Sequence, residues 1–160
     1  MDLLHTNTIE RIDREIPGVA RPGEFLLCMP RISLLAVVDL EAGRVGWSWG
    51  PGELDGPHEP TVVSGGHILV FDNGRRRGWS RLLEIDPRHE EIVWEYRGDP
   101  VESFFTISQG GNQKLPNGNL LVTESTRGRV FEITQDGRVV WEFYNPQFSQ
   151  IDGTLKRGVI

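Results

Sequence analysis

In this 160-residue chain, residues Ile133–Trp141 have the sequence ITQDGRVVW, and this segment is the clearest indication of the fold. Its Asp-Gly pair suits the positive φ angles of a tight hairpin turn, and residues that favour β-strands flank the pair. Phrases of similar form end at Trp94 and Trp47, so that 47 residues separate each tryptophan from the next. A strand–turn–strand phrase with a period in the forties is typical of the blades of a β-propeller.

The residues around each phrase extend the repeat to four strands. The innermost strand is expected to follow a glycine, and the three candidates are Gly23–Cys28, Gly66–Phe71 and Gly118–Thr123. The next strand covers 34–39, 80–85 and 128–133, and the last ends at or just beyond the tryptophan. Short apolar runs between turn pairs favour strands over helices. We therefore predict an all-β fold, a β-propeller of four-stranded blades with repeats of about 47 residues.

The repeat length also predicts how many blades the chain holds. One propeller segment over 1–160 would contain blades at approximately 3–50, 51–97 and 98–146, with 147–160 as a tail or the start of a further strand. Closed propellers usually have four to eight blades. About three blades therefore predict an open or partial ring, completed by self-association or by further blades. The indole at the same place in each blade is expected to pack one blade on the next.

Composition narrows the classes of partner. The net charge of −6 gives no basic surface for binding nucleic acid. No apolar stretch reaches the ~20 residues of a membrane span, and the first residues lack the basic and apolar regions of a signal peptide, so localisation stays open. The single cysteine, Cys28, excludes an internal disulfide, and its apolar neighbours predict a buried thiol. Zinc spacings and nucleotide-binding fingerprints are absent, so neither a metal nor a cofactor is predicted.

Residues that precede the glycine-led strands would lie at the axis of the blades. Two of these three segments contain a histidine, His5 and His58, and histidine can act as a nucleophile or as an acid and base. The run Arg75–Arg77 follows an Asn-Gly turn, and the planar guanidinium matches sulfate or phosphate oxygens. Together these residues predict transfer of an anionic group. The alternative is that the histidines are ordinary turn residues and the arginines a solvated hairpin tip. His67 and His89 are predicted to be structural and exposed, respectively.

An ordered set of phrases resembles the bacterial arylsulfotransferase family, whose members are quinoprotein-like propellers. The phrases are HTNTI at 5–9, GHILVFDNG at 66–74, SRLLEID at 80–86, QKLPNGN at 113–119 and GRVFEI at 128–133. The resemblance covers most of residues 3–146. It implies six-bladed enzymes that move a sulfuryl group from a phenolic ester to another phenol through a sulfated histidine, without a nucleotide donor. It also implies that a full-length parent is periplasmic or exported.

The resemblance assigns roles to individual residues. His58 and His5 fall where the family carries active-site histidines, and Arg76 fits the arginine after the Asp-Asn-Gly turn. Arg75 and Arg77 compete with Arg76 for that role. The expected substrate is a small phenol or aryl sulfate. The residues predicted to bind it are Asn7, Arg75, Asn112 and Gln113.

One departure from the family keeps two functions in competition. The histidine that becomes sulfated is expected from a later blade, where this chain has Gln113. An amide has neither a nucleophilic lone pair of this kind nor a titrating group. Gln113 therefore favours a non-catalytic propeller that binds an anionic or aromatic ligand or a protein, whereas the axial histidines favour an arylsulfotransferase. A purely structural segment of a longer protein is a third possibility.

Overall fold

The computed structural model describes residues 4–160, apart from the side chain of Ile151, and within them the regular structure is almost entirely β. Three antiparallel sheets of four strands follow one another along the chain, and a hairpin ends it. Strands of the first sheet, blade 1, are β1 (Thr8–Arg11), β2 (Phe25–Met29), β3 (Leu34–Asp39) and β4 (Arg44–Trp49). Those of blade 2 are β5 (Pro57–Val62), β6 (Ile68–Asp72), β7 (Arg81–Asp86) and β8 (Glu91–Arg97). Those of blade 3 are β9 (Gly111–Lys114), β10 (Leu120–Glu124), β11 (Arg129–Ile133) and β12 (Val139–Tyr144). The hairpin pairs β13 (Phe148–Ile151) with β14 (Thr154–Arg157).

The predicted fold class is confirmed. Each sheet is a meander in chain order, as in a propeller blade, and the helical segments are single 3₁₀ turns at Ser64–Gly66, Val101–Ser103 and Ser125–Arg127. In the part of the chain described, no helix is long and apolar enough to span a membrane. The predicted start of the first blade at residue 3 lies outside the described residues, and the blade boundaries stay a prediction.

The identity of the innermost strands differs from the prediction. The glycine-led strands are the second of each blade, β2, β6 and β10. The strands that contact one another across neighbouring blades, and so mark the axis, are β1, β5 and β9. These strands are short and mostly polar, with sequences such as TIER and GNQK. They line a cavity instead of a core, and therefore lack the apolar alternation by which strands are predicted.

Each blade presents one face to the blade before it and one to the blade after it, here called its leading and trailing faces. On the trailing face of blade 1 are Leu26, Cys28, Leu35, Val37 and Trp47. They form one buried cluster with the leading face of blade 2, which supplies Ile68, Val70, Leu83 and Ile85. A second cluster joins the trailing face of blade 2 (Leu69, Phe71, Leu82, Trp94, Tyr96) to the leading face of blade 3 (Leu120, Val122, Phe131, Ile133). The blades are thus held together by apolar burial at each junction.

The three tryptophans occupy the same place on successive trailing faces, but their exposure differs. Trp47 is 8% exposed in the first junction. Trp94 is partly buried in the second, where its indole N–H donates to the carbonyl oxygen of Gln135 at 2.9 Å. Trp141 is 50% exposed, because blade 3 has no following blade in the chain described. The indole therefore packs blade on blade only where a next blade exists.

Two buried acids fix the loops between the blades. Asp72 ends β6, pairs with Arg81 at 2.8 Å and accepts the backbone N–H of Asp55. Glu124 ends β10 in the same way, beside Arg129 and accepting the backbone N–H of Phe105. Both carboxylates come from the second strand of a blade and hold the loop that enters that blade. These loops lead to the inner strands, so the acid–arginine turns help to position the axial residues.

Candidate functional site

An open cavity of about 880 Å³ lies at the axis, where the inner strands of the three blades meet. Blade 1 contributes His5 and Asn7, and blade 2 contributes His58 and Glu59. The loop into blade 3 adds 109–111, and the end of the chain adds Val159 and Ile160. The cavity therefore combines imidazole, carboxylate and amide groups with an apolar wall.

His58, on β5, has both ring nitrogens engaged. Its Nδ1 lies 2.6 Å from the Oδ1 of Asn73 and 3.1 Å from the carbonyl oxygen of Gly56. Both of these atoms are acceptors, so Nδ1 carries the hydrogen and donates it. Nε2 then holds a lone pair, which accepts the backbone N–H of Gln109 at 3.3 Å, a long and weak contact.

The pKa of His58 lies below that of an ordinary histidine. The main cause is burial, which disfavours the charged ring. The hydrogen bonds to Gly56 and Asn73 oppose the shift, while the charges of Arg75 and His5 add to it. At neutral pH His58 is therefore a neutral imidazole with its lone pair on Nε2, the form required of a nucleophile or a general base.

Asn73 is the residue that fixes this tautomer. Its side chain is fully buried, and its Nδ2 donates to the carbonyl oxygens of Thr106 and Gln109, both at 2.7 Å. Because the nitrogen is committed to these carbonyls, Oδ1 must be the atom that faces His58. A single side chain of blade 2 thus orients His58 and ties down the loop that enters blade 3.

Glu59 follows His58 and has an unusual backbone. Its φ is 44°, and the register of β5 against β6 shifts between His58 and Thr61. Such bulges are frequent beside active sites, where they re-aim a side chain. The Glu59 carboxylate lies beside Gly111 on the cavity wall, since a Cβ added to Gly111 would come within 2.7 Å of its Oε2. The residue is solvent-accessible, but partial burial of the carboxylate raises its pKa.

His5 and His58 line the same cavity, but they are not equivalent in the repeat. His5 precedes β1 and is exposed, with a φ of 50°. The strand register instead gives His58 other counterparts, because Cys28, Phe71 and Thr123 occupy one position in successive blades. The pairs across the first two strands are Thr8–Cys28, His58–Phe71 and Gly111–Thr123. Both histidines precede a glycine-led strand and both line the axial cavity, but they do not occupy equivalent positions in their blades.

The three consecutive arginines lie in different surroundings. The Nε of Arg75 donates to the Ile107 carbonyl oxygen at 3.1 Å, and its charge acts on His58. Arg76 pairs with Asp55 at 3.2 Å and its side chain is 81% exposed. Arg77 pairs with the buried Asp72, a structural contact. Arg75 and Arg76 line a separate depression of about 430 Å³.

The predicted substrate-binding amides are divided between the cavity and other surroundings. Asn7 lines the cavity, and its Nδ2 donates to the carbonyl oxygen of Pro57 at 3.4 Å. Asn112 is buried, with its Nδ2 donating to the backbone oxygen of Glu59 at 2.9 Å. Gln113 is exposed on the trailing face of blade 3, outside the cavity wall. The third blade reaches the cavity instead through Gln109, whose φ is 61°.

Glu59, Asn73 and Gln109 were not among the predicted site residues. Asn73 was present in the Asp-Asn-Gly phrase, where its turn-forming role concealed its contact with His58. An acid between His58 and Pro60 was a visible signal for Glu59, since a proline interrupts a strand and favours a bulge. In residues 4–160 no three His, Cys, Asp or Glu side chains cluster as a metal site would require.

Comparison with known proteins supports a family and a fold. The profile of a family described as Arylsulfotransferase (ASST) matches residues 1–146. No curated protein sequence matches the chain.

Solved structures resemble the chain in fold alone, given the low identity. Virginiamycin B lyase from Staphylococcus aureus, bound to quinupristin, has a TM-score of 0.59 and 16% identity over 90% of this chain and 42% of its own. A streptogramin B lyase has a TM-score of 0.58 and 17% identity over 92% of this chain and 48% of its own. A protein of unknown function from Bacteroides caccae has a TM-score of 0.56 and 17% identity over 81% and 46%, respectively. The chain thus spans less than half of each of these three structures.

Proposed function

The chain belongs to the arylsulfotransferase family, and on that premise we propose that it transfers a sulfuryl group between phenols, with His58 as the nucleophile. The observation that carries the proposal is the hydrogen-bonding state of His58. Asn73 and Gly56 hold the hydrogen on Nδ1, so the neutral ring keeps its lone pair on Nε2. A nucleophilic histidine held by a second side chain is the arrangement that covalent catalysis needs.

The first step forms a covalent intermediate on His58. An aryl sulfate displaces the weak Gln109 N–H from Nε2, and the lone pair of Nε2 attacks the sulfur. The N–S bond forms while the bond between sulfur and the phenolic oxygen breaks, and the phenolate leaves with the electron pair. The released Gln109 N–H can then donate to a sulfuryl oxygen, as in an oxyanion hole.

The second step regenerates the histidine. A second phenol loses its proton, its oxygen attacks the sulfur, the N–S bond breaks, and the electron pair returns to Nε2. Glu59 is the group we assign to these proton transfers, because its carboxylate lies in the same cavity and its raised pKa moves it toward the range of a working acid and base. The net reaction exchanges one aryl sulfate and phenol for another.

Two features of the site suit an aryl sulfate, namely the apolar side chains of the cavity wall and a positive charge close to His58. Val159, Ile160 and Ile9 offer apolar contacts to an aromatic ring. Arg75 lines the neighbouring depression, but its positive charge acts on His58 and so favours an anionic ester group beside that residue. Both features suit an aryl ring that carries an anionic ester.

The test is turnover of a chromogenic aryl sulfate, such as 4-nitrophenyl sulfate, in the presence of a second phenol. His58→Ala should lower the rate of phenol release by at least ~10²-fold, because it removes the nucleophile. His89→Ala is the matched control, since His89 is an exposed turn residue paired with Asp86, and its rate should stay unchanged. With donor alone, mass spectrometry should find one added SO₃ on the peptide that contains His58.

Two outcomes would contradict the proposal. Unchanged turnover in His58→Ala would remove His58 from the chemistry. Absence of turnover with any donor, combined with saturable binding of the aryl sulfate, would support the alternative of a ligand-binding module.

A further inference from the structure

Both ends of the blade series have an apolar face that no further sheet of the described residues covers, although Ala36 and Val38 are themselves buried, with 2% and 9% exposure. The trailing face of blade 3 carries Leu121, Val130, Trp141 and Phe143, and the last two side chains are 50% and 45% exposed. On the leading face of blade 1, Phe25, Leu27, Ala36 and Val38 form an apolar cluster to which, among the described residues, no other sheet contributes. Val45 on the same face is 62% exposed. Paired apolar faces of this kind mark surfaces of association.

The two faces are the same surfaces that already pack together twice inside the chain. The strand register places Leu121 where Leu26 and Leu69 lie, and Val130 where Leu35 and Leu82 lie. It places Phe25 and Leu27 where blade 2 has Ile68 and Val70. The leading face of blade 1 therefore has the residue pattern that fits the trailing face of blade 3.

The more polar positions of the open face are also compatible with burial. Glu132 on blade 3 corresponds to Glu84 on blade 2. Glu84 sits in the covered second junction, where His67 contacts its Oε1 at 2.7 Å. In the same way Glu132 already accepts hydrogen bonds from the side chains of Asn117 and Asn119. A glutamate at this position is thus a feature of a covered face.

We propose that a second copy of this chain covers these faces, head to tail, and closes a ring of six blades. The trailing face of blade 3 in each copy would receive the leading face of blade 1 in the other. Head-to-tail contacts form closed rings when the rotation between units closes, and six blades fall within the usual range for propellers. The length agrees, because one chain covers only 42% to 48% of the three structures that it resembles.

The second copy also completes the axial cavity. In the single chain the cavity is open, and it is lined by residues of three blades and by Val159 and Ile160. In the ring, the His5 and His58 of both copies would surround one shared axis. The inference does not depend on the proposed sulfuryl transfer, since the association rests on the blade faces alone.

Light scattering after size-exclusion chromatography, over a wide range of concentrations, tests the ring. The expected mass is twice the 18.1 kDa of one chain. Trp141→Glu on the trailing face and Val45→Glu on the leading face should each abolish the dimer, because each buries a charge on one side of both contacts. Val93→Glu is the control, since Val93 is 48% exposed beside Trp94 at a junction that is already formed. It should remain dimeric.

The other possible outcomes distinguish the closed ring from different kinds of association. Far-UV spectra and melting curves establish that each variant is folded, as expected at exposed positions. If only Trp141→Glu became monomeric, two trailing faces would be packed on each other and the head-to-tail ring would be wrong. Open-ended growth with concentration would show contacts that do not close. A monomer at every concentration would overturn the second-copy assignment and leave these faces for blades of a longer chain.

Discussion

At the scale of single residues, the chemistry of His58 depends on Asn73. Without the Oδ1 of Asn73, the hydrogen of His58 would no longer be held on Nδ1. Without the Nδ2 of Asn73, the loop would lose its hydrogen bonds at Thr106 and Gln109. One amide therefore couples the state of the nucleophile to the position of the backbone N–H that meets its lone pair. That coupling assigns Asn73 a positioning role in the proposed reaction.

The lowered pKa of His58 predicts a pH dependence of activity and stability. Activity, measured as kcat/KM for the aryl sulfate, should stay constant as the pH is lowered toward about 6.5, the ordinary pKa of histidine, and should fall only at lower pH. The reason is that the lowered pKa of His58 keeps the ring neutral in the folded enzyme. The unfolded chain binds the proton more readily, so the free energy of unfolding should fall as pH drops below about 6.5. An NMR titration of His58 and urea unfolding at several pH values check this. An acid limb above 6.5 would contradict it.

Arg75 and Arg76 should differ in their effect on the reaction. Arg75→Ala should raise the pKa of His58 by removing a nearby positive charge, and should raise KM for the aryl sulfate by about tenfold, the equivalent of one charge-assisted contact. Arg76→Ala should change both quantities little, because that side chain is exposed and paired with Asp55. Steady-state kinetics at several pH values compare the two. The opposite order would restore the family-based role of Arg76.

At the scale of elements, the inner strands carry the site through irregular backbone. The bulge in β5 separates His58 from the regular pairing that resumes at Thr61 and turns Glu59 to the cavity. At the place in blade 3 that corresponds to His58 in blade 2, the chain has two glycines, 110 and 111. Their lack of side chains leaves room for the groups of blade 2.

Substituting these two glycines by alanine should have different effects: the change at 111 should lower activity, and the change at 110 should lower stability. In Gly111→Ala the new Cβ would come too close only to the flexible Oε2 of Glu59, at 2.7 Å, while Thr123 stays at an ordinary 3.8 Å; stability should therefore change by less than about 1 kcal/mol, while turnover falls because Glu59 is displaced. In Gly110→Ala the Cβ would approach the buried Phe71 ring within 2.9 Å at a φ of 95°, and the cost should be about 1–3 kcal/mol. Thermal melts and aryl sulfate turnover test both. Full activity in Gly111→Ala would remove Glu59 from the mechanism.

The outer and inner strands also differ in how well sequence predicts them. The tryptophan phrases predict the blades because strands β3, β4 and their counterparts bury apolar side chains between sheets, and burial imposes an alternating pattern. The inner strands face a cavity and have no such pattern. His58 could be predicted as an axial residue from its place before β6. Its contacts with Asn73 and Gln109, which lie 15 and 51 positions away, depend on a bulge and a positive φ that no periodicity reveals.

At the scale of the whole molecule, the fold is a chain of similar junctions and not one central core. Each junction joins one trailing face to one leading face, and the same pattern of positions recurs in all three blades. The faces become more polar along the chain, from Val37 to Glu84 to Glu132 at one position and from Cys28 and Phe71 to Thr123 at another. The uncovered trailing face of blade 3 is therefore less apolar than the two trailing faces that are already covered.

The meander order within each blade has a consequence for synthesis. All four strands of a blade leave the ribosome in succession, and each pairs with the strand just before it. Blade 1 can therefore assemble while blade 2 is still being translated. Its trailing face, the most apolar of the three, stays uncovered only until the next blade of roughly forty residues has been made. Each newly made blade shields its predecessor, so the nascent chain never carries more than one uncovered junction face at its growing end.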